Sequence, residues 1–495
     1  MGDALERELQ THFGFSSFRE GQKEIIEDVL TGRDVLGILP TGVGKSLCFQ
    51  LPAKLLKGTT IVISPLISLM VDQVKQLKAN GFKDVIAINS LMDMKQRSVS
   101  LNQLHRYSLI YLSPEMIQNQ WLEKRLQQLK IDLLVIDEAH CISQWGHEFR
   151  TDYLKIGKAA EKLGRPPILA LSATATPEVQ KDIKHQLGLK ETKDHIYKMD
   201  KPNMTFSVES CERPEDKLDR MVTILRTKKL PTMIYFSSRQ TAEHITEELK
   251  RHTGQRIAFY HGGMEPMDRL LVQQQFMNDQ LDVICCTNAF GMGVDKSNIR
   301  RIIHYHLPTQ LESFIQEVGR AGRDGLPCTS LVLYTPTDHF LPLRLIQSEL
   351  PEETDVHKFF QFLQTESDLN RGDIAEKLEL SESQWNFLRF QVEHLSDTSR
   401  QEAKVKIIQQ LKNRSYYKNR KFKEMLDWIH YDGCRRVKLY APFQEGFIEP
   451  QVPCCDSCGG SVEDLNIFAA QDSDHEEESW EERLKAIFLQ GNNRV

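Results

Sequence analysis

The chain has 495 residues, of which 40% are hydrophobic and 27% charged, with 19 Pro and 27 Gly. At roughly 100 to 200 residues per domain this makes two to four ordinary globular domains and excludes a disordered, fibrous or peptide-sized protein. The formal charge of -6 argues by itself against a nucleic-acid partner, but the charge is unevenly placed: seven acids and no Lys or Arg lie between Asp472 and Glu482, while eleven Lys or Arg face three acids between Lys404 and Lys438.

The opening MGDALERELQ has neither a basic nor an apolar leader segment. No apolar run approaches the roughly 20 residues that cross a bilayer, so a cytoplasmic protein with no membrane partner is expected. Next comes FGFSSFREGQ, in which Gln22 has the donor and acceptor pair of an adenine edge, Arg19 can assist, and Phe15 offers a stacking face. The segment VLGILPTGVGKSLCF reads as a strand, a Gly-containing loop and a helix starting near Lys45. After Thr41, Gly42 and Gly44 let backbone N–H groups close around phosphate, Lys45 reaches the β and γ phosphates, and Ser46 can ligate Mg²⁺. The strict pattern wants Gly at 39, where this chain has Leu39.

Short apolar runs then recur at intervals long enough for a helix between them: TIVIS, VIAIN, LIYLS, LLVIDE and ILALSAT, followed by MIYFS, IAFYHG, DVICCT, RIIHYHL and SLVLY. This alternation predicts parallel sheets covered on both faces. A charged interval from about Lys190 to Leu230 looks strand-poor, which predicts two α/β domains joined near residue 205. Asp137 and Glu138, at the tip of the LLVIDE strand, are placed to hold Mg²⁺ and to polarise an attacking water. Ser172 and Thr174 in LSATATP are placed to sense domain closure.

In the second domain, Gly291 and Gly293 of CTNAFGMGVDKSNIR give backbone freedom where a loop must contact nucleotide and strand phosphates together. Arg320 and Arg323 of SFIQEVGRAGRDG are expected on one helix face, as arginine fingers for a γ-phosphate held by the first domain. After Pro336 helical periodicity takes over. The segment DIAEKLELSESQWNFL predicts two short helices with a turn around Leu380 and Ser381, either a helix-turn-helix or an ordinary helical hairpin. Six of the ten cysteines are scattered and read as buried thiols; Cys434, Cys454, Cys455 and Cys458 are clustered and point to a metal.

The ordered set FREGQ, PTGVGKS, SPLISLMVDQV, YLSPE, DEAH, SQWGHEFR, SAT, YFSSR, YHGGM, TNAFGMGVDK and QEVGRAGRDG, over roughly residues 10 to 335, resembles RecQ-family DNA helicases of superfamily two. The resemblance implies an α/β fold of two tandem RecA-like parallel-sheet domains, residues 1–204 and 205–340. Periodicity and composition predict a helical region 341–400 and an acidic tail 463–495, expected to be mobile or to dock on a protein partner, and the resemblance places a zinc-binding region at 401–462 between them. SQWGHEFRTDY resembles the family's aromatic-rich loop, which couples strand binding to hydrolysis and so implicates Trp145, His147, Phe149 and Arg150. Trp145 and Phe149 can stack on bases while Arg150 meets phosphate.

The cysteine cluster extends the resemblance to a Zn²⁺ site of Cys434, Cys454, Cys455 and Cys458. Val452 stands where a family ligand often lies, and whether the adjacent Cys454 and Cys455 both bind stays open. Two departures stand out: helices at about Asp355 to Leu395 separate motor from zinc region, and too few residues follow Cys458 for the usual winged-helix and HRDC domains.

The implied activity is ATP- and Mg²⁺-dependent 3′ to 5′ movement on single-stranded DNA with unwinding of duplex or forked DNA, in repair or recombination. The alternative is a DNA-stimulated translocase that anneals or remodels without robust unwinding. An RNA helicase is disfavoured by the aromatic-rich loop and the cysteines, and a dead motor by intact Lys45, Glu138 and Arg323. Trp145→Ala is expected to lower strand-stimulated ATPase far more than basal ATPase; equal loss of both in a coupled hydrolysis assay would make Trp145 a core residue.

Overall fold

The computed structural model describes residues 2–89, 92–143, 150–291, 296–365, 375–395 and 399–465. Its framework is two sheets. The first contains β1 (Val35–Ile38), β2 (Thr59–Ile63), β3 (Val85–Ile88), β4 (Leu109–Leu112), β5 (Ile131–Ile136), β6 (Ile168–Ser172) and β7 (Lys193–Ile196), in the order β3-β4-β2-β5-β6-β1-β7. The second contains β8 (Met204–Ser210), β9 (Thr232–Tyr235), β10 (Ile257–Tyr260), β11 (Val283–Cys286), β12 (Arg301–His304) and β13 (Cys328–Tyr334), in the order β10-β11-β9-β12-β13-β8. Every pairing is parallel. Strands such as VLGI, LIYL and VICC are buried along their whole length because helices cover both faces, which is why they read as unbroken apolar runs.

Each apolar run picked out in the sequence forms a strand, but the interval after Lys190 is not strand-poor: it holds β7 and β8. The strand β7, KDHI, is a largely exposed edge, so its residues carry no apolar signal. The strand β8, MTFSVES, mixes hydroxyls and a carboxylate among its apolar residues because it forms the opposite kind of boundary, an edge that other chain covers. A bare edge offers unpaired backbone groups to any passing strand. Here residues 453–456 close it: Thr205 Oγ1 donates to Pro453 O (2.7 Å), Phe206 N to Cys454 O (3.2 Å) and Val208 N to Asp456 Oδ2 (2.9 Å).

After β13 the chain is helical, with helices Phe340–Glu349, Glu353–Thr365, Glu382–His394, Arg400–Ile429 and Arg435–Tyr440. Leu350, Val356, Phe359, Trp385, Leu388 and Ile407 build a hydrophobic core separate from those of the sheets. The 30-residue helix Arg400–Ile429 starts where the Ser399 side chain accepts from Glu402 N, and no Gly or Pro interrupts it before Gly433. The expected turn lies where Glu379 takes φ 55°: Leu380 N bonds Ala375 O (3.0 Å) and Glu379 N bonds Glu376 O (3.1 Å), the double closure of a left-handed C-cap. Ser381 and Gln384 then form the capping box of the next helix.

One ion pair joins this region to the linker between the sheets. Arg436 is fully buried, pairs with Asp200 Oδ1 and donates to Lys201 O (2.8 Å) and Met204 O. Removing one partner of such a pair strands a buried charge, at a cost of about 3–5 kcal/mol. Asp200→Asn is therefore expected to destabilise residues 428–456 by about that amount, read as reduced amide hydrogen-exchange protection there while the strands β1 to β6 stay protected.

Candidate nucleotide and metal sites

The loop after β1 turns at Gly42 (φ 87°) and Gly44 (φ 76°), conformations that L side chains avoid, and runs into the helix Leu47–Leu55. Lys45 and Ser46 sit at that helix's start, both part-buried. Beside the loop lies a cavity of about 800 Å³ whose walls include Phe15, Arg19, Gln22, Gly44 and Ser46. Phe15 is 54% exposed, as a stacking platform must be. Gln22 is turned onto the loop: Nε2 donates to Val43 O (2.7 Å) and Gly44 O (3.0 Å), while Oε1 accepts from Arg19 N (2.9 Å). Arg19 Nη1 donates to Gly42 O (2.6 Å). The proposed base-reading residues thus also brace the phosphate loop.

Asp137 and Glu138 follow β5, as its sequence implied, with Asp137 N bonded to Ile63 O (2.9 Å). Burial, then the Glu138 charge, push the Asp137 carboxyl up to about 7, and the Lys45 ammonium opposes the shift. Glu138 is in the left-handed region (φ 47°) and its buried Oε2 has no hydrogen-bond donor. An unsatisfied buried carboxylate oxygen fits a group that polarises a water. His140 Nδ1 lies 3.5 Å from that oxygen and 2.9 Å from Ser172 Oγ, which links the acidic motif to the end of β6. Thr174, two residues on from Ser172, is buried.

Arg320 and Arg323 are not on a helix face. The helix ends at Val318, because Gly319 caps it and Gly322 takes φ 59°, and both arginines lie in the turns that follow. This separates their directions. Arg323 lies against the phosphate loop so closely that a Cβ on Gly42 would stand 2.9 Å from its Cγ. Arg320 is buried and turned the other way, its Nη1 donating to Gly291 O. The seam is tightened by Thr41 Oγ1, which donates to Gly319 O (2.9 Å), and by Lys201, whose Nζ donates to Gly319 O (3.1 Å) and Ala321 O. Burial holds the Lys201 ammonium down to about 8. Sequence reading missed Lys201, one of two lysines in a linker with no motif around it.

Of the strand-coupling residues, Trp145, His147 and Phe149 lie outside the described residues, as does Gly293. Arg150 donates from Nη1 to Pro65 O (2.9 Å), tying the end of that loop to the SPLISLMVDQV segment.

The four clustered cysteines come together: one sulfur from each of Cys434, Cys454, Cys455 and Cys458 lies within 4.8 Å of the others, and Cys434 and Cys454 are 3.6 Å apart. Tetrahedral thiolates at about 2.3 Å from Zn²⁺ are about 3.8 Å apart, so this donor set fits zinc. Arg435 holds the loop, its Nε 2.7 Å from Asp456 Oδ1. Part of the basic stretch is therefore internal structure: Arg435, Arg436 and Lys421 are buried, and Lys421 pairs with Glu312 at 2.7 Å.

Comparison with known proteins agrees with this geometry. Residues 19–183 match the family model of the DEAD/DEAH box helicases, and residues 216–325 match the helicase conserved C-terminal domain. The chain is 41% identical over 493 residues to Bacillus subtilis "Probable ATP-dependent DNA helicase RecS", covering 98% of both. It is 43% identical to the Haemophilus influenzae ATP-dependent DNA helicase RecQ over 346 residues, 70% of this chain and 55% of that protein. In fold it is similar to Mycobacterium smegmatis helicase Lhr (TM-score 0.57, 21% identity, 70% of this chain and 49% of that one). Near-complete coverage by RecS, with the motor shared by RecQ, makes the chain a member of the RecQ and RecS family of ATP-dependent DNA helicases.

Proposed function

We infer that this chain is an ATP-driven motor that moves 3′ to 5′ along single-stranded DNA and separates the duplex ahead of it, in repair or recombination. The observation that carries the reading is the placement of Arg323, from the second sheet's domain, directly on Gly42 of the first domain's phosphate loop. A nucleotide held there touches both domains. Gly42 to Ser46 would cradle the triphosphate and Mg²⁺, with Ser46 and Asp137 on the metal, which would neutralise charge on the phosphates. Glu138 is placed to orient the attacking water, and Arg323 to meet charge developing on the γ-phosphate. His140, beside both Glu138 and Ser172, would link the position of that water to the end of β6.

We further propose that Cys434, Cys454, Cys455 and Cys458 all hold Zn²⁺, whose chemistry here is structural: it would lock residues 453–458 onto the edge of β8. Thiolate binding is coupled to folding, at about 10–16 kcal/mol in zinc-finger peptides.

Lys45→Ala is expected to abolish hydrolysis yet leave oligonucleotide binding largely intact, and Arg323→Ala to lower kcat by about 10³ or more. The decisive assay is displacement of a labelled strand from forked DNA with a 3′ tail against a 5′ tail. Unwinding of the 5′-tailed fork alone, or turnover unchanged in Lys45→Ala, would remove the reading. For the metal, one zinc per wild-type chain is expected by elemental analysis, and each of the four Cys→Ser variants should lose it. A full complement in Cys434→Ser and Cys458→Ser would leave the cluster as ordinary thiols.

A further inference from the structure

The turn that carries Arg323 is held from the linker between the sheets. The helix Leu311–Val318 ends there, and the last carbonyls of a helix have no partner within it. Lys201 supplies one from outside: its Nζ donates to Gly319 O (3.1 Å) and to Ala321 O. An ammonium also suits the negative end of a helix. Buried cations usually face an acid. Lys201, only 9% exposed, has no carboxylate in ion-pair contact among the described residues, and its donors go to these carbonyls instead. Two residues on, the buried Asn203 donates from Nδ2 to Gly322 O (2.9 Å) and Leu326 O (2.8 Å). Linker side chains thus take the carbonyls of Gly319, Ala321 and Gly322, which frame Arg320 and lead into Arg323.

Space around this turn is tight. A Cβ on Gly322, whose φ is 59°, would stand 2.5 Å from Asn203 Nδ2. Gly319 O also accepts from Thr41 Oγ1 (2.9 Å), so one carbonyl joins the phosphate loop, the linker and the turn. The linker has its own anchor on the far side: Arg436 donates to Lys201 O (2.8 Å), and Asp200 Oδ2 accepts from Ile448 N (3.0 Å). Because the Lys201 ammonium is committed to the turn, it acts through Arg323 and not on the nucleotide.

We propose that Lys201 is a positioning residue for hydrolysis, assisted by Asn203: from the linker, it fixes the turn 319–322 in the form that sends Arg323 to the phosphate loop. The inference rests on the motor reading above and adds residues outside the helicase motifs quoted from the sequence. On that reading the linker is the segment about which the domains open and close, so the finger is tied to the hinge as well as to its own sheet. Without the ammonium, Gly319 O keeps Thr41 but Ala321 O loses the Lys201 donor, and the turn can carry Arg323 off line. A catalytic group displaced by about 1 Å loses on the order of a hundredfold in rate, so about tenfold is the scale of a partial shift.

The experiment is steady-state hydrolysis of γ-labelled ATP by the full chain, with saturating oligothymidylate, for Lys201→Met, Arg323→Ala and the double variant. Met keeps the apolar stem and removes the donors. Lys201→Met should lower kcat about tenfold and leave KM for ATP and oligothymidylate affinity within about twofold, because the lost interaction serves the transition state. In the Arg323→Ala background the same substitution should change kcat by less than about twofold, since groups that act through one another are not additive. A loss of fold alone would lower both backgrounds equally. Lys198→Met, at the exposed lysine of the same linker, should stay within about twofold of wild type. Asn203→Ala carries the same test if Lys201→Met does not fold: a kcat loss seen only while Arg323 is present supports the proposal. About tenfold losses in both backgrounds, or kcat unchanged in Lys201→Met and Asn203→Ala while Arg323→Ala loses it, overturn the proposal and leave the motor reading standing. Hydrolysis unchanged in Arg323→Ala removes the finger from the motor reading, and this proposal with it.

Discussion

Between the two sheets, the hydroxyl of Thr41 reaches the carbonyl of Gly319 while Arg323 lies on Gly42, and neither approach tolerates a larger neighbour. A Cβ on Gly319 would fall 2.0 Å from Thr41 Oγ1. The phosphate loop therefore needs glycine twice over: for the left-handed turn at Gly42 and for the side chain arriving from the other domain. Each domain alone carries half of the nucleotide chemistry, the loop and acids on one side and the arginine on the other. On the proposed reading, a site divided this way would be competent when the domains close and incompetent when they part, which is the property a motor needs from its fuel site.

Two short links tie these groups to the rest of their own domains. On the first domain, His140 stands between Glu138 and Ser172, so the Glu138 carboxylate and the end of β6 share one imidazole. On the second, Arg320 and Arg323 leave the same turn in opposite directions, one to the Gly291 loop and one to the phosphate loop. The glycines that end the helix at Val318 are what allow this divergence. A continuous helix would have put both guanidiniums on one face and left the Gly291 loop without a link to the turn that carries Arg323.

Much of this was legible in the sequence because burial on both faces writes parallel strands as apolar runs, and because phosphate loops and acidic strand tips need particular residues at fixed spacing. What escaped had no such signature. The strand β7 is exposed and polar, and β8 is recognisable only with its covering loop, which arrives some 250 residues later in the chain. The helical placement of Arg320 and Arg323 failed because their three-residue spacing suits a helix, yet Gly319 and Gly322 lie beside them and outweigh it. All four sulfurs gather within 4.8 Å of one another despite the adjacency of Cys454 and Cys455.

The basic stretch between Lys404 and Lys438 shows why a charge count cannot by itself locate a nucleic-acid surface. Its members divide by what meets them. Lys421, Arg435 and Arg436 are buried against Glu312, Asp456 and Asp200, so their charge is spent inside the protein, fixing the long helix and the cysteine loop to the second domain. Arg414 and Lys418 lie on the same face of the long helix as Lys421, seven and three residues before it, and Lys418 too is paired, with Glu349. A desolvated cation facing an acid is a structural joint. Those joints hold the long helix and the cysteine loop against the second domain and the linker before it, so a region far from the phosphate loop in sequence is built into the same fold.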